Sequence, residues 1–323
     1  SINNNLEGDE SCAERLPLAS EHELFYGMSD GLLLIRLIQK LDPEAIFEGA
    51  VNKYVNGQMS IFKIEANINL ALNALKGKIK MMGINASGFL ELKPTPILSV
   101  LTQTCKLLSI KSINLKDCNE IWRLKEGDEE LADVLKLKAE QILIRWVNFH
   151  CHEAGHDELK IKNLGKDIAD AKAMTVVLNQ LDKANCSKAP LTTEDIVKRA
   201  EEMIHNSQNM KPDAVPYTAS GKDITRGNTN VNTEFVANVF NTKHGLELDE
   251  EDMPDFAGMG IFNEEGSREE RAFRYWINSL ELDDTDLIEN LYDACKDGKV
   301  LLRVCDKVMP GCVDWPATCG FPD

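Results

Sequence analysis

The chain has 323 residues, of which 43% are hydrophobic and 28% charged, and its formal net charge at pH 7 is -17. So acidic a chain excludes general affinity for nucleic acid and for anionic lipid, because both partners need a basic surface. No apolar run is long enough to cross a membrane, since charges such as Arg145 interrupt each one. We therefore expect a soluble protein of two or three domains, without membrane insertion.

The cysteines indicate the compartment. The chain has nine, an odd number, scattered without any Cys-x-x-Cys pair. In a chain of this length that pattern is typical of reduced cytosolic thiols and not of a disulfide framework. Asn3, Asn4 and Asn5 also stand where a signal peptide would have its apolar core. We predict a cytoplasmic protein.

The first predicted helices lie in residues 1–115, which we call the first repeat. After Asp30, apolar residues at offsets of three, four, seven, eight and eleven trace one face of an α-helix. Asp30 fits the start of that helix, where a carboxylate can accept backbone N–H bonds. A later stripe consists of Ile97, Leu98, Leu101 and Cys105. Only Ile2-Asn3 remains of an earlier helix, so we expect the first helix of this repeat to be truncated.

The same elements recur in residues 137–245, the second repeat, after a segment 116–136 that is acidic, poorly periodic and predicted to be a linker. A helix stripe containing Trp146 comes first, and a helix that starts at Asp170 comes next. The first of these stripes consists of Ile142, Leu143, Trp146 and Val147, the second of Ala173, Met174, Val177, Leu178 and Leu181. A closing stripe consists of Phe235, Val236, Val239 and Phe240.

A third, incomplete repeat is predicted in residues 269–323, after an acidic linker at 246–268. Its first stripe consists of Phe273, Trp276, Ile277 and Leu280, and its second, after Asp297, consists of Val300, Leu301, Val304, Cys305 and Val308. No closing stripe follows, so we expect this repeat to be unable to fold independently. Because the sequence shows no sustained period-two alternation, the predicted fold class is all-α.

The order of these elements resembles the calponin homology (CH) domain, with its Trp-[Val/Ile]-Asn helix, its Asp-Gly helix and its late buried helix. Tandem CH domains form the actin-binding domains of spectrin-superfamily and fimbrin crosslinkers. Several strings resemble the fimbrin (plastin) family in particular, among them residues 65–73, 145–150, 235–241 and 268–276. The expected fold is therefore all-α, with tandem calponin homology helical domains.

The resemblance implies binding to filamentous actin, as the amino-terminal actin-binding domain of a fimbrin-like bundling protein on the actin cytoskeleton. It implies no enzyme activity, no cofactor and no metal, and we expect a monomer. Bundling needs two actin-binding pairs, so this chain alone is expected to bind filaments without crosslinking them. We further expect the two complete repeats to pack on each other, and this contact to compete with actin for the first helix of the second repeat.

The family places its actin contacts in three zones, of which the first is nearly absent here. The second maps to residues 53–63 and 93–108, and the third to 137–149. The candidate residues are Lys53, Lys63, Lys93, Thr95, Ser99, Thr102, Lys106, Lys138, Gln141 and Arg145. The lysines suit an acidic partner such as actin. Ile97, Leu98 and Leu101 are more simply explained as core residues.

Two other functions deserve comparison. The first is a CH scaffold that binds microtubules or signalling proteins; it is the main alternative, because one fold serves several partners. The second is a zinc hydrolase, since residues 152–156 fit the H-E-x-x-H pattern. We reject the hydrolase because Gly155 marks a helix end and no third ligand is evident.

Overall fold

The structure, a computed structural model, describes residues 2–248, 268–280 and 290–313, together with residues 282, 288 and 315. The chain divides into two compact units, residues 1–248 and 249–323. Within the described residues the regular secondary structure is helical and contains no β-strand longer than an isolated bridge, so the all-α prediction is confirmed. Most of the predicted acidic linker at 246–268 lies outside the described residues.

The α-helices of the first compact unit begin with those of the first repeat. These are α1 (Ile2–Leu6), α2 (Glu21–Met28), α3 (Leu32–Leu41), α4 (Ile61–Ala74), α5 (Ala86–Leu90) and α6 (Pro94–Ile110). The following helices are α7 (Leu131–Val134), α8 (Ala139–Glu153), α9 (Lys172–Leu181), α10 (Ile196–Gln208), α11 (Gly221–Thr225) and α12 (Thr229–Thr242). Short 3₁₀ helices lie at Glu10–Arg15, Glu48–Ala50, Asn119–Leu124, Asp157–Leu159 and Ala189–Thr192. Among the described residues, none of the helices has the length and apolar character needed to span a bilayer.

Helix α3 forms the centre of the first repeat, where it packs against α4 and α6. Its predicted apolar stripe is buried, apart from Leu41, which is half-buried. The predicted stripe on α6 is only partly a core stripe: Ile97, Leu101 and Cys105 are buried, whereas Leu98 is 41% exposed. The prediction that Leu98 belongs to the core was therefore wrong, because its side chain faces the groove beside the second repeat.

The three aspartates that mark the repeats do the same structural work. Each accepts a hydrogen bond from the backbone N–H two residues later, at 2.9–3.0 Å, which satisfies one donor at the start of the helix. The residue that follows each aspartate has a left-handed backbone, with φ of 78° at Gly31, 61° at Ala171 and 78° at Gly298. The predicted role of the aspartates is confirmed, and the tight turn that follows each one explains why glycine occupies two of these three positions.

Trp146 on α8 is the largest fully buried side chain of the second repeat. Its ring packs edge-on against Phe240 of α12, with 5.4 Å between ring centroids. Its Nε1 donates a hydrogen bond of 2.7 Å to the carbonyl oxygen of His244. The closing stripe on α12 is buried throughout, so the predicted core helices of this repeat are confirmed.

The second compact unit contains α13 (Arg268–Ser279), α14 (Leu291–Ala294) and α15 (Lys299–Val308). Its small core consists of Ile277, Ile288, Val300 and Val304, against which Leu280 packs. The other residues of the two predicted stripes are instead exposed: Phe273, Trp276, Leu301, Cys305 and Val308. In the second repeat a closing helix covers Trp146, and the described part of the third repeat contains no such helix.

The predicted linker at 116–136 is folded onto the second repeat. It contains the 3₁₀ helix at Asn119–Leu124 and helix α7, and it buries Ile121, Leu124, Leu131 and Val134. One of its acidic residues, Glu129, forms an ion pair with Arg145 of α8. The domain boundaries themselves stay a prediction.

Candidate functional site

The first candidate surface comprises most of the connection between α3 and α4 and the first residues of α4; we call it the loop segment and define it as residues 47–63. It presents large apolar side chains to solvent: Phe47 and Phe62 are each 80% exposed, and Val55 is 63% exposed. Lys53 and Lys63, both predicted from the sequence, are exposed on the same segment. Apolar groups flanked by positive charge are typical of a protein interface that accepts an acidic partner.

Sequence reasoning missed the aromatic side chains of the loop segment. A signal was available at Phe62, which lies on α4 but off the helix face that buries Ile68, Ala71 and Leu72. Phe47 stands in a segment without helical periodicity, where exposure cannot be inferred from the pattern alone.

The loop segment is held in shape by polar contacts at its base. Arg36 of α3 binds Glu48 through two hydrogen bonds of 2.9 and 3.0 Å, and Lys53 pairs with the same carboxylate at 2.8 Å. The Arg36 and Lys53 side chains lower the pKa of Glu48 to about 2. The buried side chain of Asn67 exchanges two hydrogen bonds of 2.9 Å with the backbone of Asn52. A fixed loop loses less entropy on binding a partner.

The candidates on and before α6 differ in their exposure. Lys93 and Thr95 are exposed, although Lys93 also pairs with Glu91 at 2.8 Å. Ser99 and Thr102 are half-buried, and the Thr102 hydroxyl donates to the carbonyl oxygen of Leu98 at 2.9 Å. The side chains of Lys93 and Thr95 are therefore the more accessible of these four, although the ammonium group of Lys93 is paired.

The candidates on α8 fall into two groups. Lys138 and Gln141 are exposed at the start of the helix, where the Gln141 side chain accepts the Lys138 N–H at 2.9 Å. Arg145 has a side chain only 15% exposed, because it forms two hydrogen bonds of 2.7 Å with Glu129. It also donates to the carbonyl oxygen of Leu124 at 3.3 Å. In this arrangement Arg145 stabilises the fold of residues 116–136.

The two complete repeats pack on each other through α6 and α12. Lys106 of α6 pairs with Glu140 of α8 at 2.8 Å, and its side chain is 17% exposed. The Asn241 side chain of α12 donates to the Ser109 carbonyl oxygen at 2.8 Å. A groove of about 400 Å³ lies beside this contact and is lined by residues of both repeats, including Leu98 and Val231. Lys106 thus belongs to the contact between the repeats.

The H-E-x-x-H pattern does not assemble a metal site. Helix α8 ends at Glu153, and Gly155 has φ of +74°. Each histidine instead meets its own carboxylate, His152 with Asp157 at 2.8 Å and His156 with Glu158 at 2.9 Å. The hydrogen bond to Asp157 raises the pKa of His152. Gly155 ends the helix as the sequence predicted, which removes the geometric basis for a zinc hydrolase.

The Glu129–Arg145 pair predicts a pH-dependent contribution to stability. Hydrogen bonds from Arg145 lower the pKa of Glu129 from 4.5 to about 2. Because the folded state holds the carboxylate ionised, this contribution is present above pH 4.5 and is lost as the pH falls towards 2. We expect Glu129→Gln to destabilise the chain at pH 7, and this deficit to shrink between pH 4.5 and 2. Urea unfolding at a series of pH values measures both quantities.

The matched control for that experiment is Glu126→Gln. The Glu126 carboxylate lies 3.6 Å from Arg145, and its side chain is 68% exposed, so its pair is worth little. We expect this variant to unfold at nearly the wild-type urea concentration. A deficit in Glu129→Gln that is independent of pH would contradict the assigned role of the ion pair.

The chain is similar to known proteins along nearly its whole length. The calponin homology (CH) domain family matches residues 2–112, 137–245 and 267–319. The chain is 36% identical to fimbrin of Saccharomyces cerevisiae over 97% of this chain and 48% of that protein. It is 32% identical to plastin-3 of Danio rerio over 97% of this chain and 49% of that protein.

A solved structure gives the same result. The crystal structure of the actin-crosslinking core of Schizosaccharomyces pombe fimbrin is similar, with a TM-score of 0.60 and 30% identity, over 99% of this chain and 61% of that one. The chain spans about half the length of the curated relatives that it matches. The chain belongs to the calponin homology domain family, and it consists of tandem CH helical domains that resemble those of the fimbrins.

Proposed function

We propose that this chain binds actin filaments, as the actin-binding part of a fimbrin-like bundling protein on the cytoplasmic actin cytoskeleton. The observation that carries the proposal is the similarity to fimbrins across the whole tandem pair, over 97% of the chain. The similar solved structure is described as an actin-crosslinking core. In this proposal the chain acts as a monomer and catalyses no reaction. The alternative, a scaffold for microtubules or signalling proteins, is less favoured because the relatives are fimbrins and plastins.

The proposed contact surface combines the loop segment with the start of α6. It contains Lys53, Lys63, Lys93 and Thr95, which are exposed, and the aromatic side chain of Phe62. Ser99 and Thr102 lie further along α6, and Lys138 and Gln141 provide a second patch at the start of α8. Actin is acidic, so the lysines would steer the encounter, and the apolar groups would provide most of the binding free energy.

Lys106 and Arg145 enter this proposal in a different way. Both are held by carboxylates within the chain, Lys106 by Glu140 and Arg145 by Glu129. They become available to a filament only when these pairs open. We therefore place Lys106 at a switch between a closed arrangement of the repeats and an open one that exposes α8. Arg145 becomes available only if residues 116–136 also detach from α8.

The first experiment is co-sedimentation of the chain with filamentous actin at high and at low centrifugal speed. We expect the chain to pellet saturably with filaments at high speed, and we expect no pelleting at low speed, where only bundles sediment. The reason is that one tandem pair binds one filament and cannot crosslink two. Microtubules take the place of actin in a parallel series, and saturable pelleting with microtubules alone would favour the scaffold alternative.

The opening step makes a separate prediction at Glu140. Replacing Glu140 by Gln removes the charge that holds Lys106 at 2.8 Å and leaves Lys106 itself intact. Because a partly exposed ion pair is worth about 1 kcal/mol or less, we expect the affinity for filaments to rise by up to about fivefold. The exposed Glu194, outside this contact, provides the control Glu194→Gln. Equal affinities in wild type and Glu140→Gln would rule out a role for this pair in filament binding.

A further inference from the structure

A cysteine, a glutamate and a histidine meet where the segment after the first repeat contacts the end of the second. The ligand atoms of Cys118, Glu120 and His244 all lie within 4.8 Å of one another, and each residue is half-buried. Among the described residues this is the group of three whose donor atoms are close enough to share a metal ion. Cys118 and Glu120 are 124 or more residues away from His244 in sequence, so the fold alone creates this cluster.

The separations suit a tetrahedral ion. The Cys118 Sγ lies 3.4 Å from a carboxylate oxygen of Glu120. Zinc bonds of about 2.3 Å to sulfur and about 2.1 Å to oxygen, at a tetrahedral angle, place the two atoms about 3.6 Å apart. The imidazole needs to approach the other two donors by only about 1 Å to complete the triad.

The backbone of His244 is fixed from the core of the second repeat. Its carbonyl oxygen accepts hydrogen bonds from Trp146 Nε1 at 2.7 Å and from His150 Nε2 at 2.8 Å. Its ring also packs on Phe240, with 5.6 Å between centroids. On the other side, Cys118 immediately precedes the 3₁₀ helix Asn119–Leu124, which buries Ile121 and Leu124. The donors are thus carried by two elements that packing already holds together.

We propose that Cys118, Glu120 and His244 form a site for a zinc ion that fastens the segment after the first repeat to the end of the second. A thiolate, a carboxylate and an imidazole are a donor set that suits zinc, whereas magnesium and calcium prefer oxygen ligands alone. The two negative charges neutralise the ion, which favours its position in a half-buried site. A water molecule would occupy the fourth coordination position.

Binding changes two existing interactions. The Cys118 thiol donates a hydrogen bond to Glu120, and burial together with that carboxylate raises the pKa of the thiol to about 12. The zinc ion therefore displaces the thiol proton to solvent as the Zn–S bond forms. Nδ1 of His244 accepts the N–H of Leu246 at 3.1 Å, and a neutral imidazole gives up this hydrogen bond when either nitrogen binds the metal. Both changes lower the net affinity, so zinc binding must offset them.

The test uses the full chain, freed of metal and titrated with Co²⁺ as a spectroscopic substitute for Zn²⁺. We expect a thiolate-to-cobalt charge-transfer band that saturates at one equivalent and disappears when Zn²⁺ is added. Cys118→Ser should abolish the band. Cys305→Ser, which removes an exposed cysteine outside the cluster, should leave it unchanged. Zn²⁺ should also raise the Tm of wild type and of Cys305→Ser.

Two further variants decide the matter if Cys118→Ser fails to fold. Glu120→Gln and His244→Gln should each weaken Co²⁺ binding by at least about tenfold, the scale seen when even an outer partner of a metal site is lost. The proposal is overturned if no charge-transfer band forms in the wild type. It is equally overturned if the band survives in folded Cys118→Ser, or if both ligand variants bind Co²⁺ like the wild type. These outcomes are independent of actin binding.

Discussion

Replacing Gly31 by Ala is expected to destabilise the first repeat by about 3 kcal/mol. Gly31 has φ of +78°, a backbone conformation that costs an alanine about 1 kcal/mol. A Cβ atom at this position would lie 2.9 Å from the backbone nitrogen of Ile68 and 3.1 Å from the carbonyl carbon of Asn67. Because both contacts are with the backbone of α4, the helix itself must move, at a typical cost of about 1–3 kcal/mol.

The matched control is Gly77→Ala. Gly77 also has a left-handed backbone, with φ of +80°, but nothing lies within 4 Å of a Cβ placed on it. We therefore expect a loss of about 1 kcal/mol from the backbone conformation alone. Urea unfolding followed by circular dichroism measures both variants. Equal losses would mean that the close approach of α3 and α4 does not constrain position 31.

Ala171 shows why the same substitution is not equally harmful in every repeat. It occupies the equivalent position, with φ of +61°, and its methyl group is fully buried. The second repeat thus leaves room for a side chain where the first does not. The Asp-Gly pattern in the sequence indicates the turn, but only the packed structure distinguishes the glycine that is required from the one that is merely preferred.

The regular core could be predicted because helix periodicity determines which side is buried. The stripes after Asp30 and Asp170 and the stripe ending at Phe240 all lie where the spacing placed them. The spacing predicted burial just as clearly for three further residues that are in fact exposed: Leu98, Phe273 and Trp276. Periodicity identifies the apolar face of a helix, but it does not say whether another element covers all of that face.

The candidate site was harder to predict because its side chains depend on long-range contacts. Arg145 was proposed as an actin contact from its position in the family pattern, whereas the structure pairs it with Glu129, 16 residues earlier. Lys106 pairs with Glu140 in the next repeat. Such pairs require the fold, since neither spacing nor residue type specifies which carboxylate an exposed base will meet.

The largest expected effect on filament binding is at Phe62. Its side chain is 80% exposed, so replacing it by Ser should change the free energy of unfolding by no more than about 0.5 kcal/mol. A large aromatic group at the centre of an interface typically contributes 2 kcal/mol or more. We therefore expect Phe62→Ser to weaken binding to filamentous actin by about thirtyfold in co-sedimentation. Adding Lys63→Glu to Phe62→Ser should weaken binding further, and it should make the remaining affinity less sensitive to salt.

Tyr217→Ser is the control, because Tyr217 is an aromatic residue of the second repeat that is 53% exposed and lies outside the proposed surface. It should bind filaments like the wild type. Equal losses in Phe62→Ser and Tyr217→Ser would indicate a general effect of removing exposed aromatic groups. A loss in Tyr217→Ser alone would move the filament contact to the second repeat. A loss in Phe62→Ser alone requires that the loop segment, which Arg36 and Asn67 hold in shape, contacts the filament directly.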